Sequence, residues 1–158
     1  ITGDPRFTNV KKGTKNMVYL WARKEFKNIS KCYDCGISVV TPRHVSKNIL
    51  IMDFEGNDGK PENTLLESKV DKNDYLQSIA LISDLFKKAK LVHGDFSEYN
   101  IFKTKNGLKL FDLGSAVDIT HPNTMNFLKR DINNITNFFV KRGLTVENPA
   151  DILERIIK

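Results

Sequence analysis

The stretch VHGDFSEYNIFKTKNGLKLFDLG, residues 92–114, constrains the fold of this chain more than any other part of its sequence. Within it, Asn106-Gly107 stands between the apolar runs Ile101–Thr104 and Leu108–Asp112. An Asn-Gly pair between two such runs predicts a β-hairpin, because these residues accept the backbone conformations of a tight turn. A hairpin here holds the loop before it and the residues after it in a fixed relative position.

Three oxygen-bearing side chains lie on this frame. Asp95 and Asn100 have the spacing D-x4-N in the loop, and Asp112 follows the second strand. Phosphoryl transfer from a nucleotide needs a carboxylate that orients the attacking hydroxyl and oxygen ligands for Mg²⁺. Because Mg²⁺ keeps several waters, one Asp and one Asn are a sufficient ligand set. A lone Asp usually forms a turn and a lone His, such as His93, is usually structural, so the inference depends on the combination.

An acidic side chain interrupts the apolar face of the first predicted helix, which spans residues 14–33 and is ended by Gly36. Apolar residues recur at positions 18, 22 and 29, and Glu25 falls on the same stripe. An unpaired buried charge is costly, so Glu25 either has a cationic partner or reaches solvent at the rim of the stripe. The pattern leaves both readings open.

The other predicted elements give a mixed helix and strand fold. Two strands precede a connector rich in Gly, Asp, Asn and Pro, and a capped helix follows the connector. A long helix with apolar residues in steps of three and four follows the hairpin region, and a short helix follows it. The predicted bounds are Ser38–Val45 and Asn48–Phe54 for the strands, and Asp71–Lys88, Pro122 to Gly143 and Asn148-Pro149 onward for the helices.

The charge of the chain is concentrated at its amino end. The 158 residues carry a formal net charge of +6, and the first 50 residues hold 10 basic and 3 acidic side chains. No run of 18 apolar residues occurs and no signal-peptide pattern opens the chain, so we expect a cytoplasmic protein with no membrane partner. Cys32 and Cys35 form a single C-x-x-C, which cannot complete a tetrahedral zinc site, and free thiols are the expected state.

The order HGD…N…DLG resembles the catalytic and metal-binding loops of the protein-kinase-like fold. The segments SEYN and RDINNI, with HP before the latter, are similar to the RIO family of atypical serine/threonine protein kinases, and most of all to its archaeal type-one branch. The resemblance implies an α+β protein-kinase-like fold. In it, a mostly helical carboxyl lobe with a catalytic β-hairpin joins the regulatory helix and two strands of an incomplete amino lobe.

The resemblance also implies roles for individual residues. Asp95 is the catalytic aspartate, Ser97 belongs to the same catalytic loop, and Asn100 and Asp112 are the metal ligands. Asp112 would also carry the phospho-aspartate described for the family. Glu25 would pair with the nucleotide-binding lysine. The implied cofactors are ATP and Mg²⁺, with Mn²⁺ as an alternative ion.

Further implied residues lie in the hinge and in the long helix. Met52 would sit at the back of the adenine pocket, with the backbones of Asp53 and Glu55 facing the adenine edge. Asp131 occupies a position where related kinases use an acid to bind the backbone of the catalytic loop. The corresponding division is a mobile basic loop over 1–13, a partial amino lobe over 14–55, and a hinge with the catalytic carboxyl lobe over 56–158.

One part of the family pattern is missing from the sequence. No phosphate-covering glycine loop and no lysine-bearing strand precede the regulatory helix, although both occur in kinase-like folds. Because the chain also begins at Ile1 rather than Met, we expect it to be the carboxyl portion of a longer protein. We expect this fragment to retain the metal-binding groups and to be inactive as a kinase when isolated.

The sequence leaves three interpretations of function open. The first is ATP-dependent phosphoryl transfer to protein serine, or ATP hydrolysis, with the role in small ribosomal subunit maturation that the resemblance implies. Its partners would be ATP, a protein substrate and the pre-ribosomal small subunit or its RNA. The second is a small-molecule kinase of the aminoglycoside type, which also uses HGD…N and a later Asp. The third is a nucleotide-switched scaffold that binds ribosomes or RNA through its basic first 50 residues.

Overall fold

The structure is a computed structural model, and it describes residues 14–158. The predicted basic loop over residues 1–13 lies outside the described residues. Four helices and four two-stranded antiparallel ladders make up the described part. The helices are α1 (Thr14–Asp34), α2 (Lys72–Lys87), α3 (Thr124–Lys141) and α4 (Pro149–Ile157). The strands are β1 (Pro42–Ser46), β2 (Ile49–Met52), β3 (Gly56–Asn57), β4 (Lys60–Pro61), β5 (Leu91–Val92), β6 (Ile101–Thr104), β7 (Gly107–Leu110) and β8 (Val117–Asp118).

The helices follow local sequence signals closely. Asp71 caps α2, since its carboxylate accepts from the Asp74 N–H at 3.0 Å and the Asp74 carboxylate accepts from the Asp71 N–H at 2.9 Å. Asn148 caps α4 by accepting from the Ala150 N–H at 2.9 Å. Gly36, just beyond α1, has the left-handed φ of 70° that suits glycine at a helix end. All four predicted helices are therefore confirmed to within two residues at their starts.

The hairpin that the Asn-Gly pair predicts is also confirmed. Strands β6 and β7 pair with Thr104 opposite Gly107 and Ile101 opposite Leu110, so Lys105 and Asn106 form the turn. Gly107 has φ 115°, a conformation that favours glycine. Helix α2 supports the hairpin, since the backbone N–H of β7 residue Leu108 donates to the Gln77 side-chain oxygen at 2.9 Å.

The two strands after α1 are shorter than predicted. Residues 38–40 do not pair with β2; instead the Leu110 N–H donates to the Ser38 carbonyl at 2.9 Å, and the Val40 N–H donates to the Leu110 carbonyl at 3.0 Å. This forms an isolated parallel bridge between Val39 and Leu110. The segment therefore ties the amino-terminal part of the molecule to the hairpin, a long-range pairing that strand periodicity cannot indicate.

Two small ladders were not predicted. The connector contains the hairpin β3–β4, whose turn residues Asp58 and Gly59 have φ 50° and 75°, so its Asp-Gly pair forms a tight hairpin turn. Strand β8 pairs with β5, bringing the chain after Asp112 back beside the strand that precedes the loop with Asp95. No helix within residues 14–158 combines the length and the apolar character needed to cross a membrane.

The hydrophobic core lies between α2, α3, α4 and the hairpin. Its centre is the aromatic pair of Tyr75 and Phe139, whose rings meet edge to face at 5.5 Å, with Phe138 at 5.0 Å from Phe139. Leu85, Ile135 and Ile152 bring fully buried side chains from the three helices to the same core. The hairpin closes one side of this core with the buried side chains of Ile101, Leu108 and Leu110.

Candidate functional site

The loop between β5 and β6, which the family resemblance identifies as the catalytic loop, is fastened to α3 on both sides of Asp95. The buried carboxylate of Asp131 accepts hydrogen bonds from the Gly94 N–H at 2.8 Å and from the Phe96 N–H at 3.0 Å. Arg130, the preceding residue of α3, donates to the Gly94 carbonyl. The contact expected for Asp131 is therefore present. Because both neighbours of Asp95 are held, its exposed carboxylate projects from a fixed backbone.

Asn100 connects Asp95 with Asp112. Its side-chain nitrogen donates to the backbone carbonyl of Asp95 at 3.0 Å. Its backbone carbonyl accepts from the N–H of Phe111, the residue before Asp112, at 3.0 Å. Since the amide nitrogen is used within the loop, the amide oxygen of Asn100 remains as a ligand atom. The structure thus brings the three residues of the predicted constellation to one end of the hairpin.

Asp112 is one of four non-glycine residues in the described part of the chain that have a left-handed backbone conformation. Its φ of 57° lies in the left-handed region, which costs a non-glycine residue on the order of 1 kcal/mol or more. The side chain accepts weakly from the Gly114 N–H at 3.3 Å and is exposed. Strained residues of this kind are concentrated at functional sites, where the surrounding structure fixes them. Here the hairpin before Asp112 and the turn after it provide that support.

Helix α1 packs against the turn that follows Asp112. Asn28 donates from its side-chain nitrogen to the Leu113 carbonyl at 2.9 Å and to the Ala116 carbonyl at 3.3 Å. The indole of Trp21 lies so close to Gly114 that a side-chain methyl group there would collide with it. Sequence reasoning did not find these two residues, because they act over more than 80 positions and carry no local motif.

Glu25 lies on the same side of α1, within electrostatic range of Asp112. Burial, and secondarily the negative charge of Asp112, raise the pKa of Glu25 to about 7. Within residues 15–158, none of the ion pairs includes Glu25. The partly buried position predicted for this carboxylate is thus present, whereas its pairing with a lysine stays a prediction.

The hinge residues lie at the end of β2 and directly after it. Met52, half-buried, ends the strand and packs against the hydrophobic core. The Asp53 N–H donates to the Thr41 carbonyl at 2.9 Å, and the Glu55 carbonyl accepts from the Glu62 N–H at 2.9 Å. The Asp53 carbonyl and the Glu55 N–H have no hydrogen-bond partner in the described part of the chain. One backbone acceptor and one donor therefore remain at the predicted adenine edge.

The acidic side chains of the hinge residues are paired with cations. The Asp53 carboxylate makes a bidentate pair with Arg43, with both N–O distances at 2.6 Å, and this pairing lowers the pKa of Asp53. The Glu55 carboxylate accepts from the Lys109 ammonium at 2.7 Å. The second pair also links the hinge to β7. Both hinge carboxylates are thus engaged in ion pairs.

His93 and Ser97 are the two other residues of this loop that the sequence analysis named. His93 is completely buried, its ring meets Phe96 edge to face at 5.6 Å, and burial lowers its pKa to about 4. A neutral, enclosed imidazole at neutral pH fits the structural role expected for it. Ser97 is half-buried, and its carbonyl accepts from the Asn100 N–H at 3.1 Å. It lines a groove of about 300 Å³ between the catalytic loop and α3.

The available ligand atoms fit a hard cation. Asn100 and Asp112 offer an amide oxygen and a carboxylate, the donor types that Mg²⁺ and Mn²⁺ prefer. In the described range, His, Cys, Asp and Glu side chains form no group of three or more that could hold a metal ion. Cys32 is buried with its pKa raised to about 12, mainly by desolvation, and both cysteines are free thiols.

Solved structures with a similar fold place the chain in a class. The chain superposes on the Rio2 kinase–ADP/Mg²⁺–phosphoaspartate complex from Chaetomium thermophilum with a TM-score of 0.74 and 26% identity, covering 94% of this chain and 48% of that one. A second structure, the Rio2 kinase from the same organism, matches with a TM-score of 0.72. The fold is therefore protein-kinase-like, as expected.

The family model described as the RIO domain matches residues 1–152. The RIO-type serine/threonine-protein kinase Rio1 of the archaeon Thermoplasma acidophilum is 34% identical over all of this chain and 83% of its own length. The serine/threonine-protein kinase rio1 of Dictyostelium discoideum is 37% identical over 99% of this chain. This chain belongs to the RIO family, and the predicted resemblance to its type-one branch is confirmed.

The chain spans only part of several relatives. It covers 28% of the Dictyostelium protein and 52% of the Rio1 protein of Haloferax volcanii, to which it is 36% identical. Membership of the RIO family also favours the first of the three functional readings over a small-molecule kinase.

Proposed function

We propose that this chain carries the catalytic centre of an ATP- and Mg²⁺-dependent kinase that transfers phosphoryl groups to protein serine. The observation that supports this most is the fastening of Asn100 to Asp95 on one side and to the strand leading into Asp112 on the other. Relatives named serine/threonine-protein kinases over nearly the whole chain support the same reaction class.

In this proposal, Asp95 orients the acceptor hydroxyl and takes up its proton as the phosphoryl group is transferred. Its exposed carboxylate and its backbone, held from α3, suit that role. Asn100 and Asp112 hold Mg²⁺, or Mn²⁺ in its place. The metal ion, when bound, neutralises the phosphate charge that develops during transfer. Ser97, in the same loop, is proposed as a further catalytic-loop residue.

In a second proposed reaction, the same site would hydrolyse ATP through a phospho-aspartate. The Chaetomium complex is described as containing a phosphoaspartate. In this chain we assign the modification to Asp112, whose carboxylate oxygen would attack the γ-phosphorus while the bond to the β-phosphate oxygen breaks and ADP leaves. Water would then attack the phosphorus with Asp95 accepting a proton, releasing phosphate and restoring the carboxylate.

The hinge and α1 would hold the rest of the nucleotide. Met52 would contact the adenine, with the Asp53 carbonyl as acceptor and the Glu55 N–H as donor at its edge. Glu25 would pair with a nucleotide-binding lysine. Because no sequence segment here matches the glycine loop or the lysine strand, we expect the isolated chain to be inactive, or nearly so, as a kinase.

The biological setting implied by the resemblance is part of the proposal. It comprises maturation of the small ribosomal subunit, with a protein substrate and the pre-ribosomal subunit or its RNA as partners, in the cytoplasm. The excess of basic residues in the first 50 positions is compatible with contacts to RNA phosphates.

The test compares ATP turnover by the complete protein with that of Asp95→Ala and Asp112→Asn variants. Each substitution should lower turnover by about 10²–10⁴-fold, because each removes a group that acts in the transition state. Asp151→Asn, which makes the same exchange at an exposed residue of α4, is the matched control and should leave turnover unchanged. Turnover at the wild-type rate in both site variants would exclude the mechanism.

A further inference from the structure

A buried side chain of α1 holds the turn that follows Asp112. Asn28 is 8% exposed, and its amide nitrogen reaches both the Leu113 and Ala116 carbonyls, at 2.9 and 3.3 Å. The Ala116 N–H donates to the Leu113 carbonyl at 3.2 Å and closes the turn. A single side chain therefore fixes both ends of the turn from outside it.

The turn has little space on either side. On the α1 side, Gly114 faces the indole of Trp21, and any larger residue there would collide with it. On the other side, the Ser115 carbonyl lies 3.3 Å from where a Cβ of Gly94 in the catalytic loop would stand. The turn is thus enclosed between α1 and the catalytic loop. A shift of α1 would move it, and with it Asp112.

We infer that Asn28 is a positioning residue for the metal ligand Asp112, so that the placement of α1 sets the affinity for Mg²⁺. This rests on the proposed function, in which Asp112 binds the metal. The amide group suits the task, since its NH₂ has two protons to donate and its nitrogen lies within hydrogen-bonding distance of two carbonyl oxygens. An aspartate of the same shape would present no donor and would place a negative charge against two carbonyl oxygens.

The experiment measures ADP binding by calorimetry at a series of Mg²⁺ concentrations and in EDTA. Asn28→Ala and Asn28→Asp should raise the Mg²⁺ concentration needed for tight ADP binding by about 10–100-fold, the usual effect of removing a residue that orients a metal ligand. Affinity in EDTA should stay the same, and excess Mg²⁺ should restore tight binding. Asn133→Ala is the matched control: the Asn133 side chain donates to the Lys129 carbonyl at 2.8 Å on exposed α3 surface.

Gly114→Ala provides a second route to the same result, because it displaces the turn and leaves the Asn28 amide in place. All measurements are made below the melting temperature of the least stable variant, so that lower stability alone does not alter the Mg²⁺ requirement. An unchanged Mg²⁺ requirement in a folded Asn28 variant, or in a folded Gly114→Ala, overturns the inference. If the ADP affinity of wild type does not depend on the Mg²⁺ concentration, the proposed function is overturned, and this inference with it.

Discussion

Residues 14–55, the amino-terminal region, and residues 56–158, the carboxyl-terminal region, are packed very differently. Of the twelve largest fully buried side chains in the described range, only Ile29 belongs to the amino-terminal region. The ladder β1–β2 leaves Ile49 and Ile51 at 60% and 49% exposure. The carboxyl-terminal region has a closed core of helices, whereas the strands of the amino-terminal region are covered on one face at most.

The two regions also contribute different groups to the proposed site. The groups proposed for phosphoryl transfer, Asp95, Asn100 and Asp112, are mounted on the densely packed region. The hinge backbone and Glu25 belong to the other region, which is joined to the first at defined points such as the Val39–Leu110 bridge and the Asn28 hydrogen bonds. We expect stability to depend mainly on the first region, and nucleotide and metal affinity to depend on how the second is attached.

The largest expected effect is the difference in free energy of unfolding when the same substitution is made in each region. Ile135→Ala removes a fully buried side chain from α3 and should lower the free energy of unfolding by about 2–5 kcal/mol. Ile49→Ala removes a 60% exposed side chain and should change it by less than about 0.5 kcal/mol. Urea denaturation of both variants tests the comparison, and equal losses would contradict it.

A smaller effect is expected where the core meets the catalytic loop. Asp131→Asn keeps the shape of the side chain but leaves at most one acceptor for the two N–H groups of Gly94 and Phe96. The loss should be about 1–3 kcal/mol, because one buried donor remains unsatisfied. Asp58→Asn makes the same exchange at an exposed turn and should be neutral. Denaturation at pH 8 measures both, and an equally neutral Asp131→Asn would show that the loop does not depend on this anchor.

A further effect concerns Glu25 and depends on pH. Its pKa of about 7 lies above the ordinary value of 4.5, so the folded chain binds a proton more tightly than the unfolded chain. The stability due to this group is therefore fully present below about pH 4.5 and is lost as the pH rises through 7. The free energy of unfolding of wild type should fall relative to that of Glu25→Gln across that window. Above pH 8 the difference between the two proteins should stay constant. A constant difference from pH 4 to 8 would mean that Glu25 has an ordinary pKa.

Local rules account for what could be predicted from the sequence. Helices α2 and α4 begin beside the residues that cap them, Asp71 and Asn148, and the Asn-Gly pair places the catalytic hairpin correctly. The grouping of Asp95, Asn100 and Asp112 follows from that hairpin, since their separation along the chain is short. The anchoring acid Asp131 was predicted from the family resemblance.

Long-range packing accounts for what could not be predicted. The β5–β8 ladder has two residues in each strand, too few to show any periodicity. Residues 38–40 are as apolar as a strand should be, but their partner is β7 rather than the strand that follows them. Asn28 looks like any polar residue on a helix, and only the folded chain shows that it meets carbonyl groups 85 and 88 positions away.

The central claim is that Asp112 and Asn100, placed beside Asp95, form one Mg²⁺-dependent nucleotide site. Its most direct test is the calorimetric affinity for ADP with and without Mg²⁺, in wild type and in Asp112→Asn. We expect Mg²⁺ to strengthen ADP binding in wild type, and Asp112→Asn to weaken this response by at least about tenfold while binding in EDTA is retained. An equal response to Mg²⁺ in both proteins would contradict it.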